Sequence, residues 1–477
     1  MSKTFHLLST LTTIALICIG FGATAQPIDN VTAAKIAQSR LIRDGMAPQY
    51  TVNNMELLPG HQGQPLFYFV TLKPQGFIIV SANNNLPPVI AYGYDIITGH
   101  TVDFLRFVAN DLNKRMDCLS ELPPSVIEQR NREWTLCIQE YQGNPGFQQW
   151  PEPGSTATGG WLETNWTQDF PYNSMCPLDP VTGNRSVAGC PAVAMAMIVN
   201  FHQTTNEVVF TNADDYHHVY AGRNYWIDND YQTIGFPSFP MLNDYLDTLM
   251  VHYIEEAPLT KNDKAAMVFA CGVAAKQVYT SSGSGTFGVD QAYDAYQKFN
   301  FTTAELYTDS DTSIYTKMAR NIMDTLPVHL AVVDPGWTMG HNVVVDGYNT
   351  DHYFHLNFGW GGSYNGWYLL PDEIPYGLTV IEGAVIDILP DFATGQADQS
   401  IPGIFLFPNP FNGPVTIKND GQGEIHLSVC SFTGQVLFHA SPFSPVTTFD
   451  LSHLPKGVYL MTVKKGQSVY SEKMIKL

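Results

Sequence analysis

Of the seven cysteines in the chain, Cys190 has the setting best suited to nucleophilic chemistry. It lies in VAGCPAVAMAMIVNFH, Val187 to His202, between Gly189 and Pro191. Proline is suited to the first turn of a helix, where its missing N–H would have had no partner. The run from Ala192 to Ile198 is almost wholly apolar and reads as buried helix, which puts Cys190 at or just before its start. Unpaired backbone N–H groups and the helix dipole favour an anion there, and can draw a thiol below its usual pKa of about 8.5. Gly189 leaves room for a substrate beside the sulfur. Taken alone, the segment fits a structural cysteine or half of a disulfide equally well.

A cysteine nucleophile needs a proton acceptor, held in place by a third group. Of the fourteen histidines, His341 stands out in GWTMGHNVVVDGY, Gly336 to Tyr348, at the start of an apolar strand after Gly340. A satisfied core histidine is the plain alternative. The next strand, in FHLNFGWGGSYNGWYLL, carries Asn357, which could accept the imidazole N–H, and Trp360, which could shield that pair from water. A Gly/aromatic turn of no catalytic role would look the same. Attack on a carbonyl also calls for oxyanion donors. The Cys190 N–H is one, and Gln168, in ETNWTQDFPYN, offers a side-chain amide as the second, although a glutamine beside aromatics is as readily a surface residue.

These residues need a scaffold, and a chain of 477 residues is long enough for two or three cores. Its formal charge of −20 disfavours nucleic acid or an anionic membrane as partner. The charge is uneven, net −22 before residue 401 and +2 after it, which points to separate modules. Residues 1–25 read as a secretory signal. Lys3 is followed by the apolar Leu7–Ile19 and by Ala23-Thr24-Ala25 before Gln26. The apolar run is shorter than the roughly 20 residues that span a bilayer, and Ile17 fits poorly before a lipidated Cys18. The other six cysteines permit disulfides in an exported protein, yet they are spread too widely for a dense disulfide framework. No C-x-x-C pair or zinc-spaced cluster occurs.

Residues 26–150 read as a compact α+β unit, with helices over Val31–Ile42 (Thr32 as a possible cap), Asp103–Met116 and Ser125–Tyr141. Strands are expected within Phe67–Gly93. Gly143–Gly160, rich in Pro, Gly and small polar residues, reads as a linker or exposed cleavage region. Residues 151–390 form the largest unit, with further helices around Lys264–Lys276 and Ile314–Thr325 and strands from Pro327 to about Ile388. A polar linker at 391–402 precedes short strands over 403–477, spaced as in a small β-sandwich.

The segments NWTQDFPYN, AGCPAVAMAMIVNFH, SSGSG, GHNVVVDGY and FHLNFGWGGSYNGWY resemble, in that order, the catalytic domain of streptopain-type cysteine peptidases over about residues 161–390. The resemblance implies an α+β chain with a papain-like peptidase fold, in which a helical part packs on an antiparallel sheet with the cleft between them. It implies Cys190 as nucleophile and His341 as general base. Asn357 would be the orienting residue, Trp360 the shield and Gln168 the oxyanion donor, while Ser284 and Gly340 match substrate-contacting positions. Two departures stand out. Phe358 replaces the first tryptophan of the commoner NWGWGG, and Pro191 replaces a β-branched residue.

The region Gln26 to about 145, above all GFIIVSANNNLPPVIAYG, is similar to the propeptide of such enzymes, an α+β domain that folds over the cleft and displaces the catalytic histidine. FPNPFNGPVTI, LPKGVYLMTV and SEKMIKL are similar to a type IX secretion sorting domain. The resemblance thus implies a secreted or cell-surface cysteine endopeptidase made as a zymogen and needing no metal or cofactor. Its partners would be protein or peptide substrates, its own propeptide as inhibitor and the outer-membrane secretion machinery, with no nucleic acid. A catalytically silent relative acting as a secreted binder or adhesin is the alternative, with Phe358 as its signature. A serine hydrolase is disfavoured because no G-x-S-x-G elbow occurs.

Overall fold

The computed structural model describes residues 27–139, 146–255, 257–308, 311, 313–334, 336, 340–371, 380–390, 403–419, 425–431, 436–441, 445–455, 457–465 and 468–476. The expected signal and the 391–402 linker lie outside them.

The core of the N-terminal region follows from strand alternation. In Phe77–Ser81 every residue is buried, because successive side chains point to opposite faces and both faces are covered. Ile78 and Val80 pack with Ala33, Ile36 and Leu41 of helix Asn30–Arg43. Phe77 and Ile79 pack with Phe104, Val108 and Leu112 of helix Thr101–Asp117. The first helix is capped by Asp29, whose carboxylate accepts the Thr32 N–H at 2.7 Å. Thr32 is therefore a donor within the cap rather than the cap itself, since Asp29 already holds the extended backbone that an N-cap requires.

Four strands of this region, Thr51–Pro59, Pro65–Lys73, Phe77–Ser81 and Val89–Gly93, continue directly into the sheet of the larger unit. The seam is an antiparallel pairing of Tyr92 with Trp367 and of Ala91 with Tyr368. Beyond it lie strands Gly366–Leu369, Tyr353–Asn357, Gly340–Asn349, Val328–Val333, Ile381–Ile386 and Glu305–Thr308, in that order. The expected linker is partly built in. Gln149–Trp150 pairs with Tyr348 and Asn349 on the Gly340–Asn349 strand, while the following Glu152–Ser155 turn is exposed.

The helical half packs on the sheet's other elements. Helix Cys190–Phe201 is buried from Pro191 to Val199 and lies against helix Lys261–Ala274, with Phe239–Ile254 outside it. Ala331, Val344 and Val385 of the sheet join the same core. This is the α+β arrangement expected of a papain-like fold, with a helical part and an antiparallel sheet meeting along a cleft. The C-terminal region forms two antiparallel sheets, of three and four strands, that share one core of which Leu406, Val415, Val429 and Met461 are members. That is the expected β-sandwich. No described helix is long and apolar enough to cross a membrane. The six cysteines among the described residues are all free thiols.

Candidate active site

Helix Cys190–Phe201 starts with no side-chain cap, so its first N–H groups are free to face the cleft. Gly189 precedes it at φ +88°, and a Cβ there would come within 2.8 Å of Gln277 Oε1 and 3.0 Å of the Ser284 carbonyl oxygen. Only glycine suits that position without strain. The chain is thereby forced to present the Cys190 side chain outward, at the mouth of a buried rod.

Cys190 and His341 line one cavity of about 340 Å³, together with Gln168, Gly340 and Trp360. They are not hydrogen-bonded to each other in any described contact. The His341 Nε2 lies 3.0 Å from the Phe358 carbonyl oxygen. A carbonyl only accepts, so Nε2 carries the proton and Nδ1 is the basic nitrogen. The ring stacks on Phe358 at 5.8 Å and lies tilted by 33° against Trp360 at 4.7 Å. His100, from the N-terminal region, stacks on Trp360 at 4.8 Å and 9°. Burial pushes His341 down to about 4, with Phe358 acting against it and His100 adding to it.

The thiol moves the other way. Burial raises Cys190, and donors from Asn342 and its own backbone N–H only partly offset that. The helix terminus was expected to depress this thiol, but in the closed form desolvation of the anion outweighs the dipole. Both shifts favour the neutral forms of the two groups in this arrangement. A side-chain donor to the sulfur is Asn342, its Nδ2 at 4.0 Å. The amide is oriented from behind, with His329 Nε2 2.6 Å from its Oδ1 and the Tyr296 hydroxyl 3.2 Å from His329 Nδ1.

The remaining predicted residues divide. Gln168 lines the cavity, and its carbonyl accepts the Ala188 N–H at 2.9 Å, tying it to the segment that leads into Cys190. Asn357 is fully buried, and its described hydrogen bonds go elsewhere than to His341. Its Nδ2 donates to the Thr164 carbonyl at 2.9 Å and its Oδ1 accepts from the Gly359 N–H at 3.1 Å. The structure does not bring it to His341. Ser284 also stays off the wall. Its hydroxyl accepts the Thr280 N–H at 3.1 Å, and Ser282 and Gly283 line the cavity instead. Phe358 is a core ring, packed edge-on against Phe107 at 5.5 Å.

The resemblance implied a cover over the cleft but did not name the residues that form it. Asp103, Arg106, Phe107 and Asn110 line the same cavity as Cys190. They form one stripe of helix Thr101–Asp117, beside the buried stripe of Phe104, Val108 and Leu112. Helical spacing could have grouped them, but nothing local says what that stripe faces. Asn342 and His329 were equally hidden. Among the described residues no group of three or more His, Cys, Asp or Glu is placed to hold a metal.

Comparison with known proteins agrees with this anatomy. Residues 166–368 match the Peptidase C10 family, residues 25–102 the Spi protease inhibitor family and residues 405–477 the secretion system C-terminal sorting domain. The chain is 25% identical over 317 residues to the thiol protease/hemagglutinin PrtT of Porphyromonas gingivalis, covering 63% of this chain and 33% of that protein. It is 23% identical over 337 residues to streptopain of Streptococcus pyogenes serotype M28, covering 66% of this chain and 77% of that one. It therefore spans about a third of the length of PrtT. A solved structure of Prevotella intermedia prointerpain A is 18% identical, with a TM-score of 0.47, covering 70% of this chain and 98% of that one. The chain thus carries a peptidase domain that matches the Peptidase C10 family of streptopain-like cysteine peptidases, with a Spi-type inhibitor domain before it and, after it, a type IX sorting domain that directs it to the cell surface or beyond.

Proposed function

We propose that the chain is a secreted zymogen whose residues 151–390 hydrolyse peptide bonds through Cys190, kept latent by residues 26–150. The observation that carries this is the position of His341. It shares a cavity with Cys190, yet its N–H is committed to the Phe358 carbonyl and its ring is clasped, through Trp360, by His100 of the N-terminal region. Removal of that region takes away His100 and the Asp103–Asn110 stripe together. It readmits water to the cleft and frees the imidazole to turn toward sulfur. Renewed solvation lowers the thiol and raises the imidazole, so proton transfer from Cys190 to His341 becomes favourable.

The thiolate then attacks a peptide carbonyl. The Cys190 N–H and the Gln168 amide take the oxyanion. His341 returns its proton to the leaving amine, and water hydrolyses the thioester. Asn357 orients the imidazole only if activation also rearranges its present bonds to Thr164 and Gly359. Ser284 acts through the loop it holds, and Gly340 and Trp360 line the bound chain. The substrates are proteins or peptides, and the secretion machinery handles the tail.

The test is incubation of purified full chain under reducing conditions near pH 7, followed by labelling with a peptidyl epoxide. Self-cleavage between the N-terminal and peptidase regions, an adduct on Cys190 and loss of both in Cys190→Ala are expected. A Cys190→Ala protein that still cleaves peptides overturns the mechanism. Intact wild-type protein that stays unlabelled after its N-terminal region is removed makes the chain a silent binder instead.

A further inference from the structure

The cleft wall opposite the sheet is the loop Thr280–Ser284, whose Ser282 and Gly283 line the cavity with Cys190. Within the loop, Thr280 Oγ1 accepts the Gly283 N–H at 2.9 Å and donates to the Gly283 carbonyl at 2.6 Å. At its base Val278 and Gly285 exchange backbone hydrogen bonds of 2.8 and 3.0 Å. Such bonds give the loop its shape but not its place.

Its place is set from below by Asp179, whose side chain is wholly buried. Oδ2 accepts the Ser281 N–H and the Ser281 hydroxyl, both at 2.9 Å. The same carboxylate takes both prongs of Arg223, Nε at 2.8 Å on Oδ1 and Nη2 at 2.6 Å on Oδ2, and Oδ1 also accepts the Val181 N–H at 2.9 Å. Arg223, itself mostly buried, belongs to strand Arg223–Ile227 of a two-stranded hairpin and donates its Nη1 to the Ala221 carbonyl at 2.7 Å. Five donors thus converge on one carboxylate. Burial works to raise its pKa, but Arg223, Ser281 and Val181 outweigh that and hold it well below the usual carboxylate range.

We infer that Asp179 is a positioning residue for substrate binding, fixing the Ser282–Gly283 wall of the cleft by clamping Ser281 to Arg223. The inference rests on the proposed function, in which Cys190 is the nucleophile of that cleft. Charge is needed as well as shape. An amide in place of the carboxylate must turn its NH₂ toward either Arg223 and Ser281 or Arg223 and Val181, so donors face donors in a dry site. The loop then loses its anchor while Cys190, on its own buried helix, keeps its setting. The expected signature is weakened peptide binding with the chemistry of the sulfur intact.

Self-processed wild-type, Asp179→Asn and Ser281→Ala proteins should be compared for kcat and KM on a peptide long enough to fill the cleft, and for Cys190 alkylation by iodoacetamide, a reagent too small to need the wall. Asp179→Asn should raise KM about tenfold, with kcat and the alkylation rate within about twofold of wild type. Ser281→Ala, which removes one of the two clamping bonds together with the 2.9 Å bond between the Ser281 and Thr182 hydroxyls and leaves every buried charge paired, should move KM in the same direction by less. If Asp179→Asn does not fold, Ser281→Ala decides alone. Unchanged KM beside an active wild type overturns this inference and leaves the nucleophile standing. A wild type that neither turns over peptide nor alkylates at Cys190 overturns both.

Discussion

The two halves of the proposed catalytic pair are held in different ways. Cys190 is set by backbone, at the head of a helix buried from Pro191 to Val199 and after a glycine that no other residue can replace without strain. His341 is set by its side chain, through one hydrogen bond to the Phe358 carbonyl and contacts with aromatic rings. Moving the sulfur means unpacking a core. Moving the imidazole means exchanging one acceptor for another. On the proposed mechanism, latency in this closed form resides on the base side, where reversal is easy, and the nucleophile needs no rebuilding.

The largest test strikes the rigid side. Ile198→Ala, at a fully buried position, should cost about 2–5 kcal/mol through lost burial and a residual cavity. Denaturant unfolding of the peptidase core measures it, and a loss below about 1 kcal/mol would mean that the helix is not the fixed element.

Acid strikes the movable side. His341 falls to about 4 in the closed form, from an ordinary value of 6.5. The unfolded chain binds the proton first, so this contribution is complete above about pH 6.5 and disappears as pH falls toward 4. It amounts at most to roughly 3 kcal/mol for the full shift. His329, fully buried and also lowered to about 4, adds in the same direction. The melting temperature of the intact zymogen should drop between pH 7 and pH 5, and the drop should be shallower in His341→Ala. Equal slopes in the two proteins would remove His341 from this account.

The smallest effect belongs to His100. Stacked aromatic pairs are worth about 0.5–1.5 kcal/mol, so His100→Ala should speed alkylation of Cys190 in the uncleaved protein by about two- to tenfold. An unchanged rate would mean that Trp360 keeps its place without that ring.

Much of this was legible where local pattern and chemistry coincide. The small, apolar run after Pro191 announced a buried helix, and its first residue had to sit at an uncapped end. The strand around His341 was equally plain. Helix Phe239–Ile254 carries a readable apolar stripe at Leu242, Leu246, Leu249 and Tyr253, but the aromatic-rich stretch around it obscured the period. The hairpin Tyr216–Ile227 alternates buried and exposed residues, and only its partner, the Asp179 clamp, gives it purpose. What no window of sequence contains is distance. Tyr92 meets Trp367, and Asp179 meets Ser281 and Arg223, because whole elements dock, and a single aspartate among 44 acids does not advertise its burial. The rotamer of His341 was hidden for the same reason, since it depends on a helix that begins at residue 101.

The seam between Val89–Gly93 and Gly366–Leu369 has a consequence for the proposed processing. Once the N-terminal strands depart, the main-chain groups of Trp367 and Tyr368 that had faced Tyr92 and Ala91 become a raw margin, able to be satisfied by water or by any extended polypeptide that comes alongside. Under the proposed processing, shedding the cover would open a second adhesive border in the same event that opens the cleft, on the far side of the strand that ends in Asn357.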